Sequence, residues 1–100
     1  MPSNKKTKII ATLGPAINTK AVLEKMVDAG VNVFRVNFSH ADYQNVKDRI
    51  KDIREINKVK DVNVAILADL QGPKLRVGVM GDGVVLKEGA TFTFTTEECE

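Results

Sequence analysis

Arg35, Asn37 and Ser39 alternate at the end of one apolar run, Val31-Asn32-Val33-Phe34, with His40 directly after them. Asp69 ends the next such run, Val64-Ala65-Ile66-Leu67-Ala68, and Lys74 and Arg76 follow it closely. Two arginines and a lysine suit a polyanionic ligand, because a guanidinium forks onto phosphate oxygens with two parallel hydrogen bonds. Asn37, Ser39 and Asp69 bring hard oxygen atoms of the kind that hold a cation. Anion-binding arginines beside a cation-binding oxygen cluster point to phosphoryl transfer, where catalysis is mostly positioning and charge neutralisation.

Each residue also has a plainer role. Arg35 reads equally well as a structural arginine paired with Asp69. His40 alone is a passive residue after a strand end, Ser39 a turn cap, and Lys74 and Arg76 a solvated approach to the next segment. Asp69 is the strongest single candidate, since a carboxylate after five apolar residues is costly without a partner or a task. Familiar nucleotide motifs are absent. There is no Gly-x-x-x-x-Gly-Lys-Ser/Thr, and Gly81-Asp82-Gly83 lacks the third glycine at Leu86 that a dinucleotide fingerprint needs.

For these ends to meet, the two runs must be parallel strands with the site at their C-terminal edge, where α/β proteins carry out their chemistry. Val31-Asn32-Val33 recurs as Val62-Asn63-Val64, 31 residues later, the size of one βα unit in an eight-unit barrel. A first strand is expected over residues 8–12, broken by Gly14-Pro15. Asn18 or Thr19 caps a helix in which Val22, Leu23, Met26 and Val27 recur at helical spacing, and Gly30 closes it. In the second strand, over 31–38, alternation puts Val33, Arg35 and Asn37 on one face and Phe34, Val36 and Phe38 on the other. With the bulky face toward the helices, Arg35 and Asn37 point into the barrel. Asp42 caps a second helix whose expected buried stripe is Tyr43, Val46, Ile50 and Ile53, its charged residues forming a solvated face. The third strand spans 64–69.

After Gly72-Pro73 the helical pattern stops. Gly78, Gly81, Gly83 and Gly89 punctuate short β segments at 84–86 and 91–95, the second alternating so strictly that one face should be buried. The expected fold class is therefore α/β. Residues 1–72 are expected to form the first βα units of a (β/α)8 TIM-type barrel, and an all-β piece is expected to begin at 73. Three strands cannot close such a barrel, so it is incomplete in this chain, which reads as the N-terminal part of a larger protein.

Composition narrows the class further. The chain has 100 residues, 43% hydrophobic, and a net charge of +2, which is the profile of a globular domain. Lys5, Lys6 and Lys8 lack interleaved aromatics and read as a solvated tail, so no nucleic acid is expected as a partner. Cys99 stands alone, which excludes an internal disulfide and fits a reducing, cytoplasmic home. No secretory signal and no membrane-spanning run is expected, and the Asn37-Phe38-Ser39 sequon is then coincidental.

Three segments resemble the pyruvate kinase family, in its order and spacing, over residues 8–76. Lys8-Ile9-Ile10-Ala11-Thr12-Leu13-Gly14-Pro15-Ala16 resembles its first strand and turn. Gly30-Val31-Asn32-Val33-Phe34-Arg35-Val36-Asn37-Phe38-Ser39-His40 resembles the second strand. Ile66-Leu67-Ala68-Asp69-Leu70-Gln71-Gly72-Pro73-Lys74-Leu75-Arg76 resembles the third strand and the crossing into the lid. The resemblance implies phosphoryl transfer from phosphoenolpyruvate to ADP, giving pyruvate and ATP. It implies that Arg35 contacts the transferring group, and that Asn37, Ser39, His40 and Arg76 lie along the nucleotide phosphates. It further implies a monovalent-cation site lined by Asn37, Ser39, Asp69 and the carbonyl of Leu70. The Mg²⁺ ligands, catalytic lysine and proton-delivering threonine of the family fall beyond these residues, so this stretch alone is expected to be inactive. A homo-oligomer, tetrameric, is implied for the complete protein.

Potassium-dependent members carry Thr-Lys-Gly-Pro-Glu after the aspartate. Here the run is Leu70-Gln71-Gly72-Pro73-Lys74, which resembles the members that work without potassium. The Lys74 ammonium supplies the positive charge that K⁺ would bring. A different class remains as the alternative: a short non-catalytic remnant or binding module, its open sheet edges satisfied by self-association.

Overall fold

The computed structural model describes residues 5–39 and 42–97; His40 and Cys99, singled out above, lie outside the described residues. The element order is β1 (Ile10–Thr12), α1 (Lys20–Ala29), β2 (Val33–Asn37), α2 (Tyr43–Lys60) and β3 (Ala65–Asp69). The strands form one parallel sheet in the order β1-β2-β3. This is an α/β unit in which each helix crosses over between neighbouring strands, as parallel pairing requires.

Local chemistry sets the helix ends. The Thr19 side chain accepts the Val22 N–H and starts α1. Gly30 ends it in the left-handed region at φ 114°, its own N–H returning to the carbonyls of Met26 and Val27. A Cβ at Gly30 would sit 3.0 Å from Cε of Lys5. Gly30→Ala is therefore expected to destabilise by about 1 kcal/mol or more, read as a lowered thermal unfolding midpoint. Asp42 caps α2 through the N–H groups of Gln44 and Asn45, and Asp61 closes it at φ 51°.

Helices and sheet meet over Leu23, Phe34, Ile53, Ile56 and Val64. Full burial of such side chains contributes roughly 1.5–3 kcal/mol each. The expected α2 stripe is corrected at both ends. Tyr43 is 68% exposed, its ring tilted 35° to that of Phe38 with centroids 6.2 Å apart. Ile56, absent from the expected stripe, is buried instead. The helix is longer than the stripe, and its C-terminal half lies over the sheet.

Two ion pairs tie α1 to α2, Lys20–Glu55 and Asp28–Lys60, each at 2.8 Å. The Lys20 hydrogen bond holds the Glu55 carboxyl below its ordinary value, and the Glu55 bond raises Lys20. The Glu55 contribution is thus present above its unfolded value and lost as pH falls through the lowered one. The Lys20 contribution is lost only as pH rises through the raised one.

The sheet register departs from the sequence repeat by one residue. The repeat equates Val33 with Val64, but Val33 pairs with Ala65. One residue of slip exchanges faces, so Val64 enters the core while Val33 lies on the opposite side of the sheet. The Asn57 side chain holds this register: it accepts the Val64 N–H and donates to the Val64 carbonyl, both at 3.0 Å.

The expected β segments at 84–86 and 91–95 do not form. Among the described residues, 70–97 hold no strand, and all are exposed. Phe92 and Phe94 stack edge to face, with centroids 5.2 Å apart, which keeps the expected same-face relation but not the burial. A strand needs a hydrogen-bonded neighbour, and no described segment pairs with either run.

Candidate functional site

Alternation on β2 sends Phe34 and Val36 into the core and leaves Arg35 and Asn37 on the helix-free face. Parallel pairing then aligns Thr12 with Arg35 and Asn37 with Asp69. Thr12, Asn37 and Asp69 are the last residues of their strands, and Arg35 lies two residues inside β2. Polar groups therefore gather at the C-terminal edge of this face, while Ile10, Val33, Ala65 and Leu67 make its remainder apolar. Backbone bonds lock the edge: the Leu13 N–H donates to Arg35 O at 2.9 Å and the Phe38 N–H to Asp69 O at 3.1 Å.

The pairing left open by the residues alone is decided here. Arg35 Nε donates to Asp69 Oδ2 at 3.0 Å, and Nη2 donates to the same oxygen. Arg35 Nη1 donates to the hydroxyl of Thr12 at 3.3 Å. Of the five N–H donors of a guanidinium, three are engaged among the described residues, leaving one on each terminal nitrogen. Thr12 did not stand out in the sequence. Its only signal is a hydroxyl at the tip of a strand beside a tip that carries an arginine.

Asn37 Oδ1 accepts the Ser39 N–H at 3.1 Å, an Asx turn that fixes the chain leaving β2. Ser39 is half-buried beside this turn. Asp69 keeps Oδ1 free of hydrogen bonds among the described residues, and its side chain is 44% exposed. The Asn37 amide oxygen, the Ser39 hydroxyl, Asp69 Oδ1 and the carbonyl of the exposed Leu70 are all oxygen donors, a chemistry that suits a hard monovalent cation. Among the described residues no group of three His, Cys, Asp or Glu side chains gathers as a cluster of metal ligands.

Lys74 and Arg76 are exposed in the segment after the Gly72-Pro73 turn, and no hydrogen bond or ion pair joins Lys74 to Asp69. The site is thus an open sheet edge, not a closed cavity. Hollows lie along Lys47, Lys51 and Arg54 of α2, between residues 75–80 and 92–97, and around Asn32 and Asn63 at the opposite end of the sheet. No helix among the described residues is long and apolar enough to cross a membrane.

The family model for the pyruvate kinase barrel domain matches residues 4–100. The chain is 47% identical over 93 residues to pyruvate kinase of Thermotoga maritima, covering 92% of this chain and 20% of that protein. It is 45% identical over 98 residues to that of Methylorubrum extorquens, covering 97% of this chain and 20% of the relative. The crystal structure of Cryptosporidium parvum pyruvate kinase superposes with a TM-score of 0.62 at 38% identity, over 68% of this chain and 14% of that one. The chain spans about a fifth of the length of the curated relatives it matches. Match length and structural likeness agree with the motif order along β1, β2 and β3: the chain belongs to the pyruvate kinase family.

Proposed function

We propose that the complete protein transfers the phosphoryl group of phosphoenolpyruvate to ADP, yielding pyruvate and ATP. The convergence of Arg35, Asn37 and Asp69 on one edge of a parallel sheet, in a chain of this family, carries the reading. Arg35 turns its two remaining N–H groups to the transferring phosphoryl group, where charge spreads over three oxygens. Asn37, Ser39, His40 and Arg76 follow the nucleotide phosphates. Asn37, Ser39, Asp69 and the Leu70 carbonyl form the monovalent-cation site, with Lys74 as the built-in source of its charge. A cation there supplies a fixed positive charge beside the reacting group. Magnesium, on the same reading, is held by residues other than these.

In this reading the sheet is the first part of a (β/α)8 barrel over residues 1–72. One feature supports it: the polar edge and apolar remainder of the helix-free face match a barrel interior that opens at its C-terminal end. Residues 73–100 begin a β lid that closes over the reactants and excludes water. The exposed alternating side chains of Phe92 and Phe94 support this, since they need a partner surface. Cytoplasmic placement and a homo-tetramer belong to the same proposal.

The test is an assay of the complete gene product with phosphoenolpyruvate and ADP. Pyruvate and ATP should form in equal amounts, at a kcat of about 1–10³ s⁻¹. No ADP-dependent pyruvate from a folded, purified protein would overturn the proposal.

A further inference from the structure

Arg35 is held at two corners, only one of which belongs to the site as read from the motifs. Asp69 takes Nε and Nη2 on one side of the guanidinium. On β1, the Thr12 hydroxyl takes Nη1 at 3.3 Å. Thr12 is aligned with Arg35 across the β1–β2 pair, and the Leu13 N–H bond to Arg35 O at 2.9 Å fixes that alignment one residue further on. A guanidinium gripped at one edge alone still tilts and rotates on its flexible stem. Gripped at both sides, its plane is held in a set orientation and it presents the remaining N–H of each terminal nitrogen as a fork. Side-chain orientation of this kind is what converts a charge into a preorganised phosphoryl clamp.

We propose that Thr12 is a positioning residue for phosphoryl transfer: its hydroxyl fixes the Nη1 corner of Arg35 so that the free fork faces the transferring group. This rests on the function proposed above. Thr12 touches neither substrate nor cation; it acts through Arg35. The hydroxyl is the chemically relevant part, since valine has the same shape without the acceptor.

The experiment is a double-mutant cycle in the complete gene product, with Thr12→Val, Thr12→Ser, Arg35→Ala and Thr12→Val/Arg35→Ala. Thr12→Val should lower kcat/KM for phosphoenolpyruvate about tenfold to a hundredfold, as expected for loss of one hydrogen bond to a charged group. The KM for ADP and the unfolding midpoint should stay near wild type. Thr12→Ser should recover most of the loss, and Thr12→Val should cost nothing further once Arg35 is alanine. Thr12→Val at wild-type turnover, with Arg35→Ala impaired, would overturn the positioning role and leave the function standing. An equal Thr12→Val loss in the Arg35→Ala background would also overturn it, because the hydroxyl would then act independently of the arginine. Wild-type turnover in Arg35→Ala would overturn the positioning role and leave the function standing, whereas no ADP-dependent pyruvate from the folded wild-type protein would bring down both together.

Discussion

Arg35→Ala in the complete gene product is expected to lower kcat for phosphoryl transfer about a thousandfold, the upper range for deleting one preorganised charge-stabilising donor. Two energies compete in that expectation. The Arg35–Asp69 pair is partly exposed, with side-chain exposures of 31% and 44%, and pairs of that kind contribute about 0–1 kcal/mol to stability after screening. Stabilising charge that develops in a transition state is worth roughly 4 kcal/mol. The effect should therefore appear in turnover and hardly in folding. Arg35→Lys keeps a charge but loses the fork, and the two-sided grip of Asp69 and Thr12 with it. Its loss should be intermediate, about a hundredfold. The measurement is steady-state kinetics beside a thermal melt. A kcat within about threefold of wild type for Arg35→Ala would leave the arginine as a purely structural partner of Asp69.

Lys74→Glu is expected to make the enzyme depend on potassium. The wild-type protein should turn over about equally in sodium and potassium salts. The variant should lose on the order of a hundredfold in sodium and recover most of it in potassium. The physical basis is charge bookkeeping at the Asp69 edge. Asp69 Oδ2 is already matched by Arg35, while Oδ1 is free. On the proposed reading, a cation at Asn37, Ser39, Oδ1 and the Leu70 carbonyl, or an ammonium in its place, adds positive charge beside the neutral Arg35–Asp69 pair to meet the charge of the phosphoryl group. Lys74 follows Asp69 by five residues across the Gly72-Pro73 turn and is exposed. The proposed role requires its ammonium to come over the edge when the following segment closes on substrate. Strict potassium dependence of the wild-type enzyme in the same assay would remove Lys74 from this role.

Much of the arrangement was legible in the residues because it depends on neighbours along the chain. Thr19 and Gly30 bound α1 through bonds within a turn, so cap and stop could be read locally. Alternation placed Arg35 and Asn37 opposite Phe34 and Val36 before any partner strand was known. The order of the three motifs led to the family. Asp69 was conspicuous because a carboxylate ending an apolar run has few inexpensive explanations.

What the tertiary structure alone decided lies between segments distant in sequence. Arg35 could have stood free or paired; the Asn37–Asp69 register set it against Asp69. Thr12 gained a role only because β1 lies on the other side of β2. Neither composition nor periodicity showed that Asn57 would clasp Val64 and shift β3 one residue against the repeat. Tyr43 and Ile56 exchanged the expected burial because coverage by the sheet, not helical spacing, decides which part of a stripe is dry. Residues 91–95 carry the alternation of a strand but form none, since the ladder bonds that make a strand come from another segment. Local pattern determined which element each residue would join and which face it would take; register and partner, and hence the grip on Arg35, were fixed by long-range pairing.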